Sequence, residues 1–143
     1  MTAVIGEIGN NCFDHNLGQW RDVSGSYFQY GQDGAHVWAV VADRGQGVLA
    51  SLGRVAADIT DDDQALEAAF QRRLSGRSPE QRGNGLKFVR SIINGNTNRG
   101  LFFSSGKAHR LFGELAFVGQ EISGGVQTGG TGTFAFVGWR VGP

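Results

Sequence analysis

The order of hydrophobic patterns along this chain of 143 residues predicts an α/β protein, a two-layer sandwich with helices on one face of a mixed, largely antiparallel sheet. Two observations predict it. An amphipathic helical pattern opens the chain and a short apolar hairpin follows, and later a second amphipathic helix precedes several further strands. The apolar fraction is 40% and the charged fraction 18%, as in ordinary globular proteins, so we expect one domain over residues 1–143.

The individual elements follow from local patterns. Val4, Ile8 and Cys12 recur every fourth residue and predict a helix over 2–17. A weakly patterned insert over 48–82 holds one further helix at 61–74, with an acidic start and a basic end that suit the helix dipole. The other predicted elements are strands at 25–31, 36–42, 100–104, 108–112, 114–119 and 132–141, and a helix at 86–94.

Charge and composition narrow the classes of function. Thirteen basic and thirteen acidic residues cancel, which argues against binding nucleic acid through bulk charge. The absence of an 18-residue apolar run argues against membrane contact, and no signal-peptide pattern is present, so we expect a cytoplasmic protein. A single cysteine, Cys12, excludes an intrachain disulfide and a multi-cysteine zinc site.

The first candidate site pattern is Glu7, Asn11 and His15. A spacing of four places the three side chains on one face of the first helix. The amide oxygen of Asn11 is a hard ligand suited to magnesium, and the Glu7 carboxylate can orient or deprotonate a nucleophile. The same spacing also suits a solvated polar face, and the residues alone leave both interpretations open.

The second pattern is Asp43-x-Gly45-x-Gly47 at the end of an apolar strand. Glycine makes up 24 of the residues, well above average usage, and this pair permits a sharp turn beneath a flat ring. The Asp43 carboxylate can accept a hydrogen bond from an exocyclic amine such as adenine N6. An ordinary turn has the same composition.

The third pattern is Gly83-Asn84-Gly85-Leu86, which opens a helix. Free N–H groups at a helix N-terminus bind anions, and small residues allow a phosphate to approach. Arg82 precedes this turn and is a candidate phosphate ligand. The segment is neither a Walker loop nor a dinucleotide-binding fingerprint, and glycine before a helix is also common without any ligand.

Together and in this order, the three patterns resemble the GHKL superfamily of ATP-binding domains, which includes gyrase, heat-shock chaperone, mismatch-repair and histidine kinase ATPases. The resemblance covers about residues 5–104 and the last strand. It implies a Bergerat-type ATP-binding fold with ATP and Mg²⁺ as cofactors. Glu7 then corresponds to the general base, Asn11 to the magnesium ligand and Asp43 to the residue that binds adenine.

The resemblance implies further contacts and a moving part. Thr133 is expected to complete the adenine pocket, although Thr131 has a similar setting, and the insert over 48–82 corresponds to a lid that closes on the nucleotide. The remaining residues expected to contact the cofactor are His15, Gly45, Gly47, Val48, Arg82, Gly83, Asn84, Gly85 and Leu86.

The expected function is that of a signalling kinase catalytic domain, similar to histidine kinases or anti-sigma serine kinases, which transfers the γ-phosphate to a protein acceptor outside this chain. The alternatives are a nucleotide-gated module that binds ATP and a sigma-factor-type partner with little turnover, and an interaction domain without a nucleotide site. The family normally carries a helix, and often a strand, before the first predicted helix. Here only six residues precede Glu7, so a sheet edge is expected to need a partner, and a homodimer is one arrangement.

Overall fold

The computed structural model describes residues 1–16, 20, 25–72, 84–114 and 131–142. Helices and strands alternate in groups along these ranges. The helices are α1 (Thr2–Asp14), α2 (Gly47–Leu52), α3 (Asp62–Gln71) and α4 (Gly85–Asn94). The strands are β1 (Ser26–Asp33), β2 (His36–Asp43), β3 (Arg99–Ser105), β4 (Ala108–Gly113) and β5 (Thr133–Arg140).

The five described strands form one sheet in the order β1-β2-β5-β3-β4. β1 and β2 form one hairpin, β3 and β4 form another, and β5 lies between them, antiparallel to both neighbours. The predicted α/β sandwich is therefore confirmed. Every pairing among the described strands is antiparallel, in agreement with the largely antiparallel sheet that was predicted.

The main core lies between the helices and one face of this sheet. Its strand residues alternate along β3 and β5, as expected when one face of each strand is covered, and β2 adds Val41. α1 contributes Val4, Ile8 and Cys12, each 1% exposed, so the predicted apolar stripe of this helix is confirmed. The other helical members are Leu66, Phe70, Val89 and Ile93.

The main differences from the sequence predictions concern two helix ends, one helix that was not predicted and one predicted strand. α1 ends at Asp14 rather than at residue 17, and α3 ends at Gln71 because the backbone of Arg72 is extended. α2 was not predicted, since six residues are too few for a helical period to be recognised. Of the strand predicted at 114–119, Glu114 is not in a strand and residues 115–119 lie outside the described residues.

The described part of the predicted insert is packed against the rest of the molecule. A second cluster of Leu52, Ile59, Ala65 and Ala68 holds α2 against α3. α3 also buries Leu66 and Phe70 in the main core. Lid movement stays a prediction, and residues 73–82 of the insert lie outside the described residues. In the part of the chain that is described, no helix is long and apolar enough to cross a membrane.

Candidate functional site

A cavity opens beside the polar face of α1, between that helix and residues of α2, α4 and the adjoining ends of β2 and β5. Its volume is about 180 Å³, roughly ten times what one water molecule needs. The cavity can therefore hold a molecule rather than a single ion. The residues predicted from the sequence that line it are Glu7, Asn11, His15, Asp43, Gly47, Val48, Gly85, Leu86 and Thr133.

The polar face of α1 forms one wall. Glu7, Asn11 and His15 are half-buried and all line the cavity, so the prediction that they share one helical face is confirmed. The His15 ring lies against α2, with 2.7 Å between Nδ1 and the buried Ser51 hydroxyl. The ring is therefore held in place at the cavity wall.

The Asp43 carboxylate is held by three donors at the end of β2. The Gly45 N–H donates to Oδ1 over 2.7 Å, and the Asn16 side-chain amide donates to the same oxygen over 3.1 Å. The Thr133 hydroxyl donates to Oδ2. Thr133 begins β5 as predicted, whereas Thr131 is exposed and precedes the strand. The carboxylate is thus fixed in orientation by these hydrogen bonds.

Asn16 is part of this arrangement, and the sequence analysis missed it. Its side chain is 3% exposed, donates to the Cys12 carbonyl over 2.8 Å and accepts from the Gln46 N–H over 2.9 Å. It therefore joins the end of α1 to the turn that follows β2. A polar residue near a helix end is a common sequence feature, and nothing in its spacing indicates contact with residues 43 and 46.

The two glycines after Asp43 each allow a close approach of another part of the chain. A Cβ on Gly45 would lie 2.0 Å from the Asn16 side chain, so this glycine makes room for a protein neighbour. Gly45 does not line the cavity. Gly47 adopts a φ of +79°, and a Cβ there would lie 3.1 Å from the Ser105 hydroxyl. That the two glycines lie beneath a bound ring stays a prediction.

Ser105 is a second residue that the sequence analysis missed. It accepts a hydrogen bond from the Val48 N–H over 2.9 Å and donates to the Gly132 carbonyl over 3.0 Å. These bonds attach the start of α2 to β3 and to the residue before β5. The contact joins positions 57 residues apart in the chain, which no local pattern can reveal.

Gly85 brings α4 close to the polar face of α1. A Cβ on Gly85 would lie 2.6 Å from Glu7 Oε2 and 4.0 Å from Asn11 Nδ2, so a larger residue would displace the carboxylate. The N-cap residue Asn84 makes no side-chain capping bond, and the first N–H groups of α4 are the kind of donors that bind anions. Asn84 is exposed and does not line the cavity, while Arg82 and Gly83 lie outside the described residues.

The available ligands suit a magnesium ion that arrives with a phosphate ligand. Among the described residues, no three His, Cys, Asp or Glu side chains form a metal-binding group. Magnesium commonly takes only one or two protein oxygens and completes its shell with water and phosphate oxygens. Asn11 and Glu7, side by side at Gly85, fit that role, whereas a resident multi-ligand metal does not fit the described residues.

Cys12 does not add a nucleophile. Burial, followed by the nearby Asp43 carboxylate, raises the pKa of the Cys12 thiol to about 12. The thiol donates to the Ile8 carbonyl of its own helix and is 1% exposed. Its place is in the core beneath the site.

No protein-family model matches the sequence, and no curated protein is significantly similar to it. The cavity and the residues that line it are therefore the basis for a function.

Proposed function

We propose that this chain is a Mg-ATP-binding domain of the GHKL type, with a Bergerat-type fold. The observation that carries the proposal is that one cavity joins a fixed carboxylate, Asp43, to the Glu7, Asn11 and Gly85 group at the start of α4. Glu7 and Asp14 lie seven residues apart on α1, about 10 Å along its axis, and Asn16, which binds Asp43, follows two residues after the helix ends. This separation suits an elongated ligand with a polar ring at one end and phosphates at the other.

Each part of the cavity then has a task. The fixed Asp43 carboxylate accepts a hydrogen bond from the exocyclic amine of adenine. The N–H groups at the start of α4 bind phosphate oxygens. Asn11 holds the magnesium ion, which supplies neutralisation of the phosphate charge. Glu7 accepts a proton from the attacking group, a protein side chain or water, as the bond from the γ-phosphorus to ADP breaks and ADP leaves.

The reaction we propose is transfer of the γ-phosphate to a side chain of another protein, as in kinases that resemble histidine kinases or anti-sigma serine kinases. Phosphoryl transfer depends mainly on positioning and charge neutralisation, which this cavity could provide together with magnesium. The acceptor is a protein outside the chain, and the order of motifs together with the cavity supports this proposal.

One observation favours a second candidate, a nucleotide-gated binding module with little turnover. Among the described residues that line the cavity, none is lysine or arginine. Magnesium and Arg82, which the sequence predicts as a phosphate ligand, would then have to neutralise the negative charge of the triphosphate. Without such a cation the cavity would bind ATP more readily than it would stabilise a transition state.

Calorimetric titration with ATP, with and without magnesium, tests the binding site. We expect magnesium-dependent binding to the wild type and at least a tenfold loss of affinity in Asp43→Asn, because the amide cannot accept the same hydrogen bonds. Asp58→Asn is the matched control, since this exposed carboxylate contacts Arg72 outside the cavity. Absence of binding to the folded wild type would contradict the proposal.

Release and transfer of phosphate separate the two candidate functions. For a kinase or ATPase, Glu7→Gln retains ATP binding and loses at least about a hundredfold in turnover, as expected when a general base is removed. Glu114→Gln, at an exposed position outside the cavity, is the control. Binding without turnover in the wild type would support the gated module, and turnover that persists in Glu7→Gln would remove Glu7 from the catalytic role.

A further inference from the structure

β1 forms an edge of the sheet, and among the described strands only β2 pairs with it. All but one of its eight residues are exposed. Proteins commonly protect such an edge with proline, lysine or a bulge. The sequence of β1, SYFQYGQD, has neither residue, and its pairing with β2 runs without a bulge from Ser26 to Asp33. The outer edge is therefore suited to pairing with another strand.

The same strand carries large exposed aromatic side chains. Tyr27 and Phe28 are each 54% exposed and Tyr30 is 71% exposed. The rings of Phe28 and Tyr30 lie 5.8 Å apart on the face that carries the helices. Exposed aromatic residues are enriched where proteins associate, and here they lie on a strand whose outer edge pairs with no other described strand.

We propose that the occupant of this edge is a second copy of the chain, paired antiparallel through β1 around a twofold axis. The net charge of zero sets up no general repulsion between copies. The interaction depends on neither nucleotide nor magnesium. It would join the two sheets into one.

The hairpin geometry restricts the register. β1 and β2 are closed by the two residues between Asp33 and His36, so Asp33 and its alternate neighbours turn their backbone groups toward β2. The backbone groups of residues 26, 28, 30 and 32 then point outward. In a twofold pairing, these outward-facing residues of one copy lie opposite those of the other. All four form backbone hydrogen bonds to the second copy when Phe28 lies opposite its Tyr30.

This register is also complementary in charge. It places Asp33 of one copy opposite Gly25 of the other. The Arg44 side chain covers Gly25, with its Cδ 2.3 Å from the position of a Gly25 Cβ. The symmetry therefore creates two Asp33–Arg44 contacts, one at each end of the paired strands. If the register of the two β1 strands were shifted by two residues in either direction, Asp33 would no longer lie opposite Gly25.

Aromatic packing supports the same register on the face of the sheet opposite the described helices. Tyr27 of one copy lies opposite Gly31 of the other. A Cβ on Gly31 would lie 2.6 Å from the Trp38 ring, so that ring covers the glycine. Tyr27 therefore meets an aromatic surface rather than a gap, as in the aromatic pairs that stabilise neighbouring strands.

Sedimentation equilibrium of the whole chain tests the association. We expect a dimer, and Tyr30→Lys should raise its dissociation constant at least tenfold by placing a charge on the paired edge. Leu111→Lys is the control, since this side chain is 49% exposed on β4 at the opposite edge of the sheet. A wild type that stays monomeric up to about 0.1 mM, or a dimer that Tyr30→Lys leaves unchanged, would overturn the proposal.

Cysteine cross-linking tests the register. The two Gln29 residues would face each other in a non-hydrogen-bonded pair, with Cα atoms about 4.5 Å apart, within reach of a disulfide. Under mild oxidation Gln29→Cys should give a covalent dimer. Gln32→Cys, opposite Ser26, should form it at least tenfold more slowly, and the native Cys12 is buried. Equal or faster cross-linking of Gln32→Cys would overturn the register.

Discussion

Asn16 shows how one buried side chain fixes a site that is assembled from distant segments. Its amide donates to Asp43 and to the Cys12 carbonyl, and its oxygen accepts from the Gln46 N–H. The side chain is 3% exposed, so these hydrogen bonds are shielded from water. The orientation of the Asp43 carboxylate therefore depends on a residue that lines the same cavity from the end of α1.

Removal of this amide should destabilise the fold. We expect Asn16→Ala to lower the free energy of unfolding by about 2 kcal/mol, because buried donors and acceptors lose their partners. Chemical denaturation measures the change. Asn10→Ala, at an exposed position on the same helix, is the control and should change stability by less than about 0.5 kcal/mol. Equal effects of the two substitutions would show that the Asn16 bonds contribute little.

The contrast between predicted and missed residues has a physical cause. Glu7, Asn11 and His15 could be placed together because the helical period alone sets their common face. Asn16 and Ser105 could not, because their contacts depend on how separate elements pack. The glycine spacing after Asp43 correctly indicated a turn at this place. The need for glycine at position 45 comes from the Asn16 side chain packed against it, which the sequence does not reveal.

At the scale of elements, Arg110 ties β4 to α3. Its guanidinium contacts Asp63 Oδ1 over 2.7 Å and the Asp63 carbonyl over 3.0 Å, and it lies 3.4 Å from Glu67. The hydrogen bond from Arg110, followed by its charge, lowers the pKa of Asp63. Since α3 belongs to the predicted insert, this contact fixes part of that insert to the sheet.

The attachment should weaken in acid. Because the pKa of Asp63 is lower in the folded chain than in the unfolded one, its contact with Arg110 contributes stability above the ordinary carboxyl pKa. That contribution is lost as the pH falls through the lowered value. The difference in unfolding free energy between wild type and Arg110→Gln should therefore be largest near neutral pH and shrink in acid. Arg140→Gln, at an exposed position, should show a difference that varies little with pH.

The elements that the sequence predicted well are those whose own side chains alternate between core and solvent. α1, α4 and the hairpin of β3 and β4 have such patterns, and their residues appear in the main core as expected. β1 was also predicted, although nearly all of its residues are exposed. α2 was missed because its six residues are held by contacts outside it, with α3 and through Ser105. The order of the described strands depends on the insertion of β5 between the two hairpins, which no local pattern specifies.

At the scale of the whole molecule, the insert and the sheet share one core. Phe70 of α3 packs against Phe103 of β3, with ring centroids 5.3 Å apart, and against Phe112 of β4 at 4.7 Å. The cluster of Leu52 and Ile59, by contrast, joins α2 and α3 only to each other and to their connection. A lid that detached with α3 would have to expose Phe70 and Leu66, so closure over a nucleotide is expected to spare this helix.

Hydrogen exchange tests whether α3 unfolds with the sheet. Phe70→Ala should lower the free energy of unfolding by about 3–5 kcal/mol, because it leaves a cavity among aromatic neighbours. It should lower the protection of α3 and β3 amides by the same amount if both open only in global unfolding. Ile59→Ala, in the smaller cluster, should mainly affect amides of α2 and the α2–α3 connection. Fast exchange along α3 with β3 still protected would instead identify α3 as part of a detachable lid, and the predicted moving segment would then extend into the core.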